Sequence, residues 1–224
     1  MKQLFPAKPL PATHRAAASR ARHHLRPAMA GLLALALGWS YGIADAADEK
    51  RAQEIVEGKC FICHGMAGES SSPVFPRLAG QHAEYVARQL ADYQSGRRKS
   101  TTMQPMVEGL TPDDFKALGR YFENSETHLH PVDDAALARV GQFIFERGNP
   151  FSGVAACAGC HGTNGHGTPQ LPRVAGQHAQ YVEKQLKAFN ERERTNDNAV
   201  MQSVAEKLTE LERKAVSAYI SGLR

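Results

Sequence analysis

From residue 47 onward, apolar residues recur three or four positions apart, and no stretch shows the strict alternation of a half-buried strand. The pattern predicts a short helix over Ala47 to Glu57 stopped by Gly58, a central helix over Gln81 to Tyr93, and a terminal helix after Thr111. The same set then returns. A helix from an Asp133 cap runs to Arg147 and ends at Gly148, a central helix covers Gln177 to Phe189, and a terminal helix follows Thr209. Leu137, Val140, Gly141, Ile144 and Phe145 share one face of the fourth helix. Leu118, Tyr121 and Phe122, and likewise Val216, Tyr219 and Ile220, give the two terminal helices their buried faces. Thr111-Pro112-Asp113-Asp114 and Thr209-Glu210-Leu211-Glu212 carry the spacing of capping boxes. The expected fold is all-α.

The first 46 residues follow another rule. Lys2, Lys8, Arg15, Arg20, Arg22 and Arg26 precede an apolar stretch from Ala28 to Trp39, and Ala44-Asp45-Ala46 supplies a small-x-small cleavage site. Residues 1–46 therefore read as a secretory signal peptide. No Arg-Arg pair precedes the apolar core, which favours general secretion over a twin-arginine route. The competing reading is an uncleaved anchor, since Ala28 to Ala44 approaches the lower limit for a membrane span. Of the chain's 27 basic and 23 acidic residues, the leader holds six and one, leaving 21 and 22. The basic balance is thus a property of the leader, and the remainder has no Lys/Arg stripe suited to nucleic acid.

The halves are an internal repeat. Pro76-Arg77-Leu78-Ala79-Gly80-Gln81-His82 returns as Pro172-Arg173-Val174-Ala175-Gly176-Gln177-His178 at an offset of 96, and Met103 to Thr111 matches Met201 to Thr209 at an offset of 98. Residues 47–123 and 133–224 form two expected domains, joined by a polar linker over 124–132 that contains Pro131. Such short units are small for self-sufficient cores.

Every cysteine belongs to one of two Cys-x-x-Cys-His motifs, Cys60-Phe-Ile-Cys63-His64 and Cys157-Ala-Gly-Cys160-His161, whose offset is 97. The one-residue slip against the offset of 96 marks an insertion or deletion after the motif. Two thiols at this spacing add to the vinyl groups on one porphyrin edge, and the adjacent imidazole is left beneath the iron. Zinc needs four grouped ligands, and a redox dithiol has no need of histidine at the next position. The motifs therefore predict two covalently attached haem c groups, each filling the deficit of a small core.

A short N-terminal helix, Cys-x-x-Cys-His, Pro-Arg-Leu-Ala-Gly-Gln, a methionine before Leu-Thr and a final tyrosine-containing helix together resemble a class I cytochrome c domain. Two such domains after a signal peptide resemble the cytochrome c4 family, from about Ala47 to Leu223. The resemblance implies two domains wrapped around their haems, related by a pseudo-twofold axis, with haem propionates facing each other. It also implies methionine as the sixth iron ligand, which raises the potential. Met201 is the only methionine of the second half, and the repeat pairs it with Met103, while Met106 aligns with Val204 and is the alternative. The expected iron ligands are His64 with Met103, and His161 with Met201.

Other residues take lesser expected roles. The carbonyl of Pro76 or Pro73, and that of Pro172, would accept the proximal imidazole N–H. Arg77, Arg173, Tyr85, Tyr181, Gln81 and Gln177 are candidates to bond the propionates. His82 and His178 read as helix-start capping or packing residues, while His128, His130 and His166 read as exposed. Met66 reads as loop packing, and Arg97-Arg98-Lys99 as a solvated loop or partner patch. Gln142 to Cys157 is eight residues longer than Gln53 to Cys60, and the inserted Asn149 to Gly153 is a candidate to pack across the domain interface.

The resemblance implies a periplasmic electron carrier, not an enzyme, with no small-molecule substrate. Its partners would be membrane-bound respiratory complexes or an oxidase, and peripheral membrane association is compatible with this. The alternative is the dihaem subunit of a periplasmic dehydrogenase such as a flavocytochrome, or a dihaem redox enzyme.

Overall fold

The computed structural model describes residues 46–224, so all of the expected leader but Ala46 lies outside the described residues. Among the described residues the regular elements are all helical, and the one strand-like feature is an antiparallel bridge, Asn149 to Val154. Helix α1 covers 46–55, and a π-helical turn over Val56–Cys60 leads directly into α2, Phe61–His64. Then come α3 (Ala83–Gln94), α4 (Met103–Val107) and α5 (Pro112–Glu123). The second half holds α6 (Ala135–Arg147), α7 (Ala158–His161), α8 (Ala179–Asn190), α9 (Val200–Ala205) and α10 (Glu210–Gly222).

Two of the expected helix limits are corrected. Gly58 does not stop the first helix: the widened turn carries it through to the histidine, and Gly65, at φ +74°, ends it. In the second half Gly148 does end α6, because the inserted segment 149–154 must leave the helix there as a closed loop. The α6 cap is Asp134, not Asp133; its carboxylate accepts the Leu137 N–H at 2.9 Å.

Each half has its own core. Ala52, Ile55, Val56, Val86, Leu118 and Phe122 are among those buried in the first, and Ile144, Phe145, Leu186, Ala215, Val216 and Ile220 in the second. Helix α6 lies against α10, α3 against α5, and α8 against both α9 and α10. Val140 departs from the expected α6 face and is exposed, with Phe143 beside it. The inserted loop does not cross to the other half. Asn149 Nδ2 donates to Glu212 Oε1 of α10 at 2.7 Å, and Phe151 is fully exposed.

Both predicted capping boxes form. Thr111 Oγ1 accepts the Asp114 N–H while Asp114 accepts the Thr111 N–H, and Thr209 and Glu212 repeat the exchange. Arg51 Nε also donates to Asp114 Oδ1 at 2.8 Å, tying α1 to α5. Burial pushes the Asp114 pKa up, but the bonds from Arg51 and Thr111 outweigh it and hold the carboxyl below its ordinary range. A lowered folded-state pKa stabilises fully above the unfolded value of about 3.9, and that contribution is lost as pH falls through the folded value. Asp114→Asn should therefore cost about 1–2 kcal/mol at neutral pH, and the gap to wild type should close in acid. Denaturant unfolding at pH 7 and pH 3 measures both.

Candidate functional site

The two Cys-x-x-Cys-His segments occupy equivalent places, each a single helical turn closed by a glycine with positive φ, Gly65 or Gly162. Such a turn puts both thiols and the imidazole on one short piece of chain. His64 is 6% exposed and His161 8%. His64 Nδ1 donates to Pro76 O at 2.9 Å, and His161 Nδ1 to Pro172 O at 3.0 Å. This selects Pro76 over Pro73. It also fixes each tautomer, leaving Nε2 with a lone pair for a metal. Burial lowers both imidazole pKa values against the opposing effect of the carbonyl bonds, which keeps the rings neutral, the form that binds iron.

Burial pushes the Cys60 and Cys157 thiols up to about 11, away from the depressed range of a reactive redox cysteine. Among the described residues no group of three or more His, Cys, Asp or Glu side chains could hold a metal ion, so a zinc cage is absent there. The donor chemistry fits haem: buried neutral imidazoles beside paired thiols at thioether spacing, and a methionine on a later helix of each half.

Met103 opens α4 and is half-buried. Met106, one turn on, is 38% exposed. Met201 lies in the first turn of α9, packed against the second core. Met66 is 43% exposed, and its carbonyl accepts the Tyr121 hydroxyl at 3.0 Å.

The interface between the halves is built from repeat-equivalent residues, each bond reciprocated. Gln81 Nε2 donates to Arg173 O at 2.8 Å, and its Oε1 accepts the Arg173 N–H at 2.9 Å. Gln177 makes the same pair of bonds to the Arg77 backbone, both 2.9 Å. His82 Nε2 donates to His166 O at 2.8 Å, and His178 Nε2 to Ser70 O at 2.7 Å. Gln81 and Gln177, candidates for the propionates, and His82 and His178, read as capping or packing residues, thus all bond the opposite half. Each histidine holds the N-cap position, but neither imidazole makes a capping bond. Reciprocity of this kind is the signature of a twofold relation, here within one chain.

The slip in the repeat can now be located. Gly68 corresponds to Gly165 at an offset of 97 and Ser70 to His166 at 96, so Glu69 is the extra residue. Its carboxylate lies 3.0 Å from His130 Nε2 and 3.4 Å from Arg77 Nε, and accepts the His128 N–H at 3.2 Å. His130 is therefore engaged by Glu69, not exposed as the sequence suggested. Arg77 also donates to Gly176 O, so its guanidinium serves the interface. A cavity of about 230 Å³ lies between these residues, Gln81, Arg173 and Gln177.

Arg98 is the largest departure from expectation, since it is 7% exposed and not part of a solvated loop. It donates to Gln89 Oε1 at 2.8 Å within its own half, and to Tyr181 OH and Gln185 Oε1 of the other at 2.9 and 3.0 Å. Its repeat partner Arg194 answers with bonds to Gln185 Oε1, Tyr85 OH and Gln89 Oε1 at 2.8, 3.0 and 3.1 Å. The guanidiniums also stack on equivalent rings, Arg98 over Tyr93 at 4.7 Å and Arg194 over Phe189 at 4.5 Å. Sharing two amide oxygens holds the cations within roughly 6 Å, a repulsion of about 3 kcal/mol at an effective dielectric near 20.

Comparison with known proteins accords with this geometry. The family model "Cytochrome c" matches residues 145–224, and "Cytochrome C oxidase, cbb3-type, subunit III" matches 47–122. Cytochrome c4 of Azotobacter vinelandii is 39% identical over 204 residues, covering 85% of this chain and 96% of that protein. A thiosulfate dehydrogenase electron acceptor of Thiomonas intermedia is 31% identical over 167 residues, 72% of this chain and 77% of that protein. The crystal structure of reduced cytochrome c4 from Pseudomonas stutzeri superimposes with a TM-score of 0.74 at 37% identity, over 78% of this chain and 98% of that one. A repeat of two haem-attachment units, joined through reciprocal bonds and matched across nearly the whole of such relatives, leaves one conclusion: the chain belongs to the cytochrome c4 family, electron-carrying c-type cytochromes with two haem c groups.

Proposed function

We propose that this chain carries electrons in the periplasm between a dehydrogenase or respiratory complex and a terminal oxidase, making and breaking no bonds. Residues 1–46 would be removed on export, 47–123 and 133–224 would be the two haem domains, and 124–132 the linker. No helix among the described residues is long and apolar enough to cross a membrane. The likeness to a thiosulfate dehydrogenase electron acceptor supports a periplasmic dehydrogenase as one donor.

In this reading Cys60 and Cys63, and Cys157 and Cys160, form the thioethers, with His64 and Met103 on the first iron and His161 and Met201 on the second. Bound there, the haems supply one-electron ferrous–ferric couples. Pro76 and Pro172 hold the imidazoles in one orientation, and their carbonyls increase the basicity of the ligand nitrogen. The observation that carries the reading is the presence, in each half, of a tautomer-fixed histidine and a half-buried methionine, a pair that would close both faces of an iron. A closed iron transfers electrons but offers no position for substrate.

A redox titration of the pure protein with spectra of both oxidation states tests it. The expected result is two haems, the far-red methionine-to-iron absorption in the oxidised form, and a reduced spectrum unchanged by carbon monoxide. Ready carbon monoxide binding without denaturation would instead favour a redox enzyme.

A further inference from the structure

The twofold exchange of bonds between the halves breaks down at one pair of residues, Arg77 and Arg173. Each follows the proline that holds a proximal imidazole, and each side chain crosses to the other half. Arg77 donates to Gly176 O there and has Glu69 Oε2 at 3.4 Å. Arg173 reaches Gly80, the repeat counterpart of Gly176, where its Nε lies 3.7 Å from the place a Cβ would take. Among the described residues its guanidinium donates to no protein acceptor and has no carboxylate within salt-bridge distance. The difference has its cause in the sequence. Glu69 is the residue by which the repeat slips, so the second half has no counterpart to it, and its carboxylate is already shared among Arg77, His130 and the His128 N–H. Arg77 is itself incompletely served, since its Nε is buried and makes no hydrogen bond.

Both guanidiniums line the cavity of about 230 Å³, together with that of Arg224 and three imidazoles, while Glu69 is the one acidic side chain in its wall. Burial lowers the Arg77 and Arg173 pKa values, and the opposing attraction of Glu69 does not restore them. Burial and then the charge of Arg173 also lower the pKa of His166. A single carboxylate is too little negative charge for this wall, and a desolvated cation without a partner is costly. Ala79, Gln81 and Ala175 are buried at the base of the cavity, and His128 and Leu129 are exposed at its rim. Its wall includes no residue of the haem motifs and none of α4 or α9, which carry the proposed sixth ligands. We propose that this cavity binds a small tetrahedral oxyanion of the phosphate or sulfate type, held between Arg77 of the first half and Arg173 of the second. A guanidinium fork matches a pair of oxygens on such an ion, and a tetrahedral ion has oxygens enough for both forks at once. An ion held from both sides stabilises the association of the halves by mass action. This site goes beyond electron carriage and does not depend on the iron ligand set.

The test is a calorimetric titration of the holoprotein, in chloride buffer at constant ionic strength, with inorganic phosphate and separately with sulfate. Saturable binding of either ion at one per chain is expected, with a thermal midpoint that rises as that ion, but not chloride, is added. Arg173→Gln should weaken binding by about tenfold or more while both haems and their spectra are retained. Arg173→Lys keeps the charge without the fork and should fall between. Glu69→Gln should act in the opposite sense and tighten binding by about threefold or more, because it removes the carboxylate that competes for Arg77 and repels the ion. Damage to the fold does not tighten a site, so this variant decides the matter if Arg173→Gln fails to fold. Absence of saturable binding of both ions overturns the proposal. Binding that neither Arg173→Gln nor Glu69→Gln alters marks an adventitious ion only and overturns it too. A change in the haem propionate vibrations of Arg173→Gln, seen by resonance Raman without phosphate or sulfate, would assign that guanidinium to a haem and overturn it equally.

Discussion

Gly141→Val is expected to unfold the second half and reduce the haem content from two toward one. Gly141 lies where α6 crosses α10, and a Cβ there would overlap the backbone carbonyl oxygen of Ala215 and approach Val216 N to 2.9 Å. Neither obstacle is a flexible side chain. Ala215 is fully buried, and Phe145, one turn further along α6, is at 0% exposure. The helices would have to separate to admit valine, losing the contacts that seat Ile144, Phe145, Val216 and Ile220 in one core. Overpacking of this kind costs about 3 kcal/mol or more where the backbone is the obstacle. For a half-chain of this size that is a large share of its stability. Haem stoichiometry and thermal unfolding of the purified protein measure the loss. Gly58→Ala is the control of opposite sign. Gly58 is exposed and helical, with nothing within 4 Å of an added Cβ, so alanine there should stabilise by up to about 1 kcal/mol.

What the sequence revealed and what it hid divide along physical lines. Helical periodicity, capping boxes and the two haem motifs are local, so they were legible from residues a few positions apart. The repeat then singled out Met103 over Met106; in the structure Met103 is half-buried and Met106 is 38% exposed. The interface was hidden because its bonds join residues 82 to 109 positions apart. Gln81, His82 and Arg98 are polar residues on helix ends and loops, and local reasoning assigns such residues to solvent or to the cofactor. A signal did exist. Tyr85, Gln89, Tyr93 and Arg98 recur as Tyr181, Gln185, Phe189 and Arg194 at the single offset of 96, a coherence that a solvated loop has no reason to keep. Glu69 was concealed differently, since a one-residue slip in a repeat shows that something was inserted but not which residue.

Met103→Ala is expected to abolish the far-red methionine-to-iron absorption of the first haem alone and to make that haem, once reduced, bind carbon monoxide. Thioether sulfur favours the ferrous state, so its loss lowers the potential. A drop on the order of 0.1 to 0.2 V is a modest part of the roughly 0.8 V that axial ligation commands. Met106→Ala should leave both the absorption and the potential in place, because that side chain lies toward solvent one turn further on. Met201→Ala should produce the Met103 phenotype in the second haem, and the double variant should lose both absorptions together. In each single variant the unaltered haem is the internal control, and a local ligand loss leaves its titration wave where it was. An unchanged spectrum for Met103→Ala, with loss of the absorption in Met106→Ala, would move the sixth ligand one turn along α4 and leave the rest of the site intact.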